Sequence, residues 1–221
     1  MDEPSNGDLP GPGPASAGSP ECEHAARRAS IGARRNPATE AAILEAARGL
    51  LAEKGYAGFS IDEVARRAGA GKPTIYRWWP SKADLFIAVY AADKAAAIAV
   101  PDTGDLADDL VAYTTNVWRF WRESVPGAAF RALIAEAQAT GSALEVLREK
   151  FLPARLCDLE SLFTHAAARG EIAADDVEGL LRLYIGFHWF QLLTGRIDED
   201  PALIARMVGL IVRAGRSGRP A

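Results

Sequence analysis

Residues 59–85, FSIDEVARRAGAGKPTIYRWWPSKADL, leave the backbone few choices. Ser60 followed three places later by Glu63 is a capping box, in which the serine oxygen takes a free helix N–H and the glutamate reaches back to the cap. Ile61, Val64, Ala65 and Ala68 then supply an apolar face at helical spacing. Gly69-Ala70-Gly71 ends that helix, because glycine tolerates the left-handed geometry of a helix C-terminus. Lys72-Pro73 opens the next, where proline's missing N–H costs nothing. Ile75 and Trp79 are four apart and face inward, which leaves Lys72, Thr74, Tyr76, Arg77 and Trp78 pointing largely outward. Pro80 stops this helix. Ser81 with Asp84 is a second capping box and starts the helix that holds Leu85, Phe86 and Val89. Two short helices about a glycine turn form a helix-turn-helix.

The charge is local. The chain is formally −4 at pH 7. Between residues 64 and 83 the ionised side chains are Arg66, Arg67, Lys72, Arg77 and Lys82, with no acid among them. A basic stripe on an acidic protein is what phosphate binding needs, because neutralised phosphates release counterions. Lys82 falls in the first turn of its helix, where the macrodipole disfavours a cation and a nearby phosphate would offset that cost.

The rest of the chain predicts an all-α fold. A first helix spans about 37–54, with Asn36 as its cap and Gly55 as its stop. After the helix-turn-helix come helices at about 81–99, 106–124, 128–139, 142–169, 175–194 and 201–214. Pro126-Gly127 reads as a break, and Pro153 kinks or divides the long helix. The organisation expected is a disordered tail with a basic arm at 1–35 and a DNA-binding domain at 36–82. A second helical domain follows at 83–215, whose reading as a ligand-binding and dimerisation domain rests on the resemblance and the aromatics described below, with a flexible C-terminus at 216–221. Arg27, Arg28, Arg34 and Arg35 form the basic lead-in, and two readings of it stay open: an arm on DNA or a solvated linker. Cys22 and Cys157 are the only cysteines and are expected to be reduced thiols. No apolar run approaches the roughly 20 residues of a membrane span, and no secretory signal opens the chain. A cytoplasmic protein is expected.

Ala65, Ala68-Gly69, Thr74-Ile75-Tyr76, Trp79-Pro80-Ser81-Lys82 and Leu85 together resemble the N-terminal signature of TetR-type (tetracycline repressor-like) transcriptional regulators. The resemblance is specific over residues 36–89. A looser likeness to a subset of the family runs through ALIAEAQ at 132–138, AAARGEI at 166–172 and QLLTGR at 191–196. It implies a regulator of double-stranded DNA, acting as a dimer on a near-palindromic operator, with a small-molecule effector pocket in the C-terminal part. The candidate DNA-binding residues are Ser60, Lys72, Pro73, Thr74, Tyr76, Arg77, Trp78 and Lys82. Arg77 is the candidate base reader, since its fork can bond guanine O6 and N7. Tyr76, Lys82 and Ser60 are candidates for positioning the backbone. Asp62 departs from the pattern of some members, which carry a basic or polar reader there. An acid cannot hold a phosphate, so Asp62 is given no DNA contact.

The C-terminal part is dense in aromatics. Trp118, Trp121, Phe130, Phe163 and Tyr184, with Gln138 and His188 as polar handles, are the candidate lining of a largely apolar ligand pocket. Core and interface packing account for part of the same set. Gly179 and Gly186 are seven apart, on one face with Leu183 and Phe190. Leu203, Met207, Leu210 and Ala214 form a similar face on the last helix, so a homodimer through the last two helices is expected. No phosphate-cradling, nucleophile-elbow or zinc-protease motif is present, and His24, His165 and His188 are isolated from one another. No catalytic residue, metal site or cofactor is assigned. A ligand-independent DNA-binding regulator or activator is the alternative reading, and an all-helical enzyme a more remote one.

Overall fold

Asn36 starts the first helix among the described residues. In the computed structural model, which describes residues 36–217 apart from Thr140 and Glu199, its side-chain oxygen accepts from the backbone N–H of Ala38 and Thr39 and begins α1, Pro37–Lys54. Gly55, with φ 62°, ends it. The tail, its basic arm, Cys22 and the last four residues lie outside the described residues. The second helix, α2, is Ile61–Ala68, and the third, α3, is Lys72–Trp78. Gly69 joins them with φ 62° in the left-handed region, where a Cβ would be strained. Ile43, Ala47, Leu50 and Leu51 of α1 are buried together with Val64, Ala65, Ile75 and Trp79. These contacts fix the angle between the short helices, which are too short to be stable alone.

The fourth helix, α4, is Lys82–Ala97, and both halves of its capping box with Ser81 and Asp84 are present. It leaves the three-helix head and enters the larger body. Arg48 of α1 grips Asp93 of α4 with its fork, Nε at 3.0 Å from Oδ1 and Nη2 at 2.6 Å from the same oxygen. The body holds α5 (Leu106–Glu123), α6 (Val125–Ala139), α7 (Gly141–Val146), a π-helical turn (Leu147–Phe151), α8 (Leu152–Ala168), a short 3-10 turn (Ala174–Asp176), α9 (Val177–Leu193) and α10 (Pro201–Ser217). No strand occurs among the described residues. The chain is all-α, with an N-terminal helix-turn-helix and a C-terminal helical domain.

The sequence-based outline needs two corrections. Pro126-Gly127 does not break a helix; the break is at Ser124, and both residues sit in the first turn of α6, where proline is tolerated. Gly127 is there for space: a Cβ on it would lie 2.2 Å from the Phe120 carbonyl oxygen. The long helix at 142–169 is divided at Pro153 as expected: α8 begins at Leu152 with Pro153 in its first turn, directly after the π-helical turn. Cys157 is disulfide-bonded, which overturns the reduced thiol expected there.

The body packs around α5. Leu106, Leu110, Tyr113, Val117 and Trp121, which recur at helical spacing on one face, are all buried. The helix contacts α6, α8 and α10, while α6 also lies against both α1 and α4. The head and the body therefore meet at α6 as well as through α4.

Candidate DNA interface and effector cavity

Helix α3 presents the candidate DNA face. Lys72, Pro73, Tyr76 and Arg77 are exposed, Tyr76 at 47% despite its large ring. An exposed aromatic beside two exposed cations on a short, firmly docked helix is suited to a groove rather than to a core. Ile75 and Trp79 are buried as their spacing predicts. Trp78 departs from the outward set: it is half-buried, with its ring edge-on to Trp79 at 5.7 Å. Thr74 is half-buried too. Ser60 is exposed, and its Oγ accepts from the Glu63 N–H at 3.3 Å.

Acids lying outside the basic window fold back onto it. Glu63 accepts from Arg66 at 2.7 Å and from Arg67 at 3.0 Å, and these guanidiniums hold its carboxyl down at about 2. The reciprocal half of its capping box is therefore replaced by these ion pairs. Arg67 also forks onto Glu53, with both distances 2.7 Å. Lys72 pairs with Asp62 at 2.8 Å, so the acid denied a DNA contact instead neutralises a candidate one. Lys82 bonds Glu136 of α6 at 3.2 Å and lies 4.1 Å from the Tyr56 ring centroid. Of the five cations in the stripe, Arg77 alone has no acid partner among the described residues. It can turn to a base edge without first breaking an ion pair.

The second site lies in the body. Tyr90, Tyr113, Trp121, Phe130 and Phe151 wall a cavity of about 60 Å³, with Val117, Leu152, Leu156 and Leu159 between them. Tyr184, Ile185, His188 and Trp189 of α9 close it. A wider groove of about 680 Å³ runs between α8 and α9, and the two spaces share Leu152, Leu156, Ile185 and Trp189 as a common wall. The inner space is smaller than the roughly 150 Å³ that admits benzene.

The polar atoms of Tyr90, Trp121, Tyr184 and His188 in the cavity wall are tied to protein partners. Trp121 Nε1 donates to the Tyr90 hydroxyl at 2.7 Å. The His188 Nδ1 lies 2.8 Å from the Tyr184 carbonyl oxygen, which can only accept, so Nδ1 carries a proton. Burial pushes the imidazole down to about 4, so it is neutral at pH 7 and Nε2 is an acceptor. Thr114 donates its one hydroxyl proton to the Leu110 carbonyl oxygen at 2.7 Å and accepts from the Tyr184 hydroxyl at 2.6 Å, with its oxygen 3.2 Å from Nε2. Burial raises the Tyr184 phenol, which stays protonated. The charged group nearby is Lys94, 3% exposed, held by Asp158 and by the Tyr113 hydroxyl at 2.8 Å. A neutral histidine and a compensated lysine leave a cavity suited to an uncharged ligand.

Four of the seven expected lining residues, Trp121, Phe130, Tyr184 and His188, meet at this cavity. Trp118 is buried behind it against Phe187 and His188, with its Nε1 unpartnered. Phe163 is buried against Tyr184. Gln138 lies on the exposed face of α6, away from the cavity. Tyr90 and Phe151 were missed because their helices cross the cavity from outside the aromatic-rich segments. The apolar face of Tyr90 at four-residue spacing from Phe86 was the available signal.

On α9, Leu183, Phe190 and Leu193 are exposed at 62%, 56% and 53%, and Gly179 and Gly186 are exposed beside them. Leu210 and Ala214 are exposed on α10, while Leu203 and Met207 are partly covered. No helix among the described residues is long and apolar enough to cross a membrane.

Residues 43–89 match the profile of bacterial regulatory proteins of the tetR family, and residues 100–211 that of the tetracyclin repressor-like C-terminal domain. The uncharacterised HTH-type transcriptional regulator YdeS of Bacillus subtilis is 33% identical over 175 residues, spanning 79% of this chain and 88% of its own. The DNA-binding transcriptional repressor TetR of Mycobacteroides abscessus is 32% identical over 181 residues, spanning 77% of this chain and 95% of its own. The crystal structure of the TetR family transcription regulator SCO0332 superposes with a TM-score of 0.70 at 29% identity, covering 79% of this chain and 97% of that one. Head and body are thus matched separately and together, and the chain belongs to the TetR family of helix-turn-helix, DNA-binding transcriptional regulators.

Proposed function

We propose that two copies of this chain form a repressor that leaves its operator when a small, largely apolar, uncharged ligand occupies the cavity. The observation that carries this reading is the double use of α9. One side of the helix, with Tyr184 and His188, walls the cavity. Another side, with Leu183 and Phe190, is bare. A contiguous apolar stripe with small residues invites a second helix. A second copy of the same stripe gives a closed two-fold contact. Ligand and partner then act on the same helix.

In this reading residues 36–82 contact DNA and residues 83–215 sense and dimerise. The helix α3 enters the major groove. Arg77 reads a base, and Lys72 and Thr74 read bases or hold phosphates. Pro73 and Trp78 shape the face, while Ser60, Tyr76 and Lys82 position the backbone. Two heads about 34 Å apart meet successive major grooves. A ligand favours the wrongly spaced dimer only by binding it more tightly, and a hundredfold preference amounts to about 2.7 kcal/mol. The helix α4 carries the change from body to head.

Trp121 and Trp189 both line the cavity, so their fluorescence reports occupancy. A panel of uncharged ring compounds is titrated against the protein and against its complex with duplex DNA. A compound that quenches the tryptophans is expected to release the DNA over the same concentration range. Quenching with unchanged DNA affinity would refute the coupling.

A further inference from the structure

We infer that Glu136 competes with the DNA backbone for Lys82, and so holds the free protein in a weaker-binding state. The inference rests on the reading of Lys82 as a phosphate contact. Lys82 is at the N-terminus of α4 in the head, and Glu136 is on α6 in the body. Glu136 Oε2 accepts from Lys82 Nζ at 3.2 Å, while its Oε1 accepts from the Tyr56 hydroxyl at 3.4 Å. The Lys82 side chain is 28% exposed and that of Glu136 38%, so the pair is within reach of a ligand outside the protein. A cation in the first turn of a helix is opposed by the macrodipole. Glu136 offsets that cost in the free protein, where a phosphate would offset it in the complex. A phosphate drawn to Lys82 would stand beside the Glu136 carboxylate, and two anions that close repel. One must give way.

The position of Glu136 gives the competition a regulatory sense. Phe130 walls the cavity on the same helix. Six residues of α-helix span about 9 Å. A shift of α6 that makes room in the cavity therefore changes the grip of Glu136 on Lys82. Because α6 lies against α1 and α4, this route runs beside the one through α4.

The test is a double-mutant cycle in the full chain. The parent, Glu136→Gln, Lys82→Met and the double variant are titrated by fluorescence anisotropy with a duplex enriched by the parent from a random pool. Thermal melts show that each variant is folded. Glu136→Gln is expected to bind about three- to tenfold tighter, the scale of a part-exposed ion pair released at both heads of a dimer. In the Lys82→Met background the same change is expected to do almost nothing. An equal gain in both backgrounds would assign the effect to overall charge and overturn the proposal, as would no gain in either. If Lys82→Met binds as tightly as the parent, the phosphate reading of Lys82 falls, while DNA binding itself stands.

Discussion

Acidification from pH 7 to pH 4 will weaken this fold through His188, by an amount that can be worked out. Burial holds the ring at about 4 against an ordinary 6.5, although its bond to the Tyr184 carbonyl pulls slightly the other way. The unfolded chain therefore takes up a proton near 6.5 while the folded chain resists until about 4. Stability from this group is full above 6.5 and is lost as the pH falls, and the loss levels off below 4. Linkage gives a loss of about 2 kcal/mol at pH 5 and about 3 kcal/mol at pH 4, relative to pH 7. For a chain of this size, about 2 kcal/mol lowers the melting temperature by roughly 4–8 °C. Urea unfolding followed by tryptophan fluorescence, at pH 7, 6, 5 and 4, compares the parent with His188→Gln. Other titrating groups are common to both, so the difference between the two curves isolates the imidazole. The variant is expected to start lower, having lost part of the Thr114–Tyr184 network, and to fall less steeply. Parallel curves from pH 7 to pH 4 would refute the claim that the cavity wall is kept uncharged by burial.

Arg77→Ala is expected to weaken operator binding by about 1–3 kcal/mol and to relax selectivity at one base step; equal weakening on every duplex would make Arg77 a phosphate contact. Leu183→Arg with Phe190→Glu, on the bare side of α9, should yield monomers by sedimentation with helical content unchanged. Persistent dimers would move the interface elsewhere. Gly127→Ala forces a Cβ to within 2.2 Å of the Phe120 carbonyl oxygen. It should destabilise the chain by about 1–3 kcal/mol or more in a urea titration, and an unchanged midpoint would contradict the close approach.

Much of the head was legible because its signals are local. A cap, a glycine at positive φ and a proline in a first turn act within four residues, so Asn36, Gly69 and Ser81 could be read directly. Pro126 misled because the cost of proline depends on where in a helix it falls, and the sequence alone left open whether it ended one helix or began the next. The stripe of cations seemed wholly available because the acids that meet it are distant in sequence or just outside the window. Glu53, Asp62 and Glu136 reach it only after folding. The cavity was legible as a composition and not as a wall. Trp121, Tyr184 and His188 turn into it, while Gln138 on α6 faces outward because helix crossing decides which face is covered. The exposed stripe on α9 was visible in the seven-residue spacing of its glycines, since that period returns to one helix face.

The central claim is that two heads of a ligand-sensing dimer read DNA together. Selection of bound duplexes by the full chain from a random pool tests it most directly. The account predicts a near-palindromic site whose half-site centres lie about 10 base pairs, or a multiple of that, apart. Enrichment of a single unpaired half-site, or no enrichment at all, would contradict it.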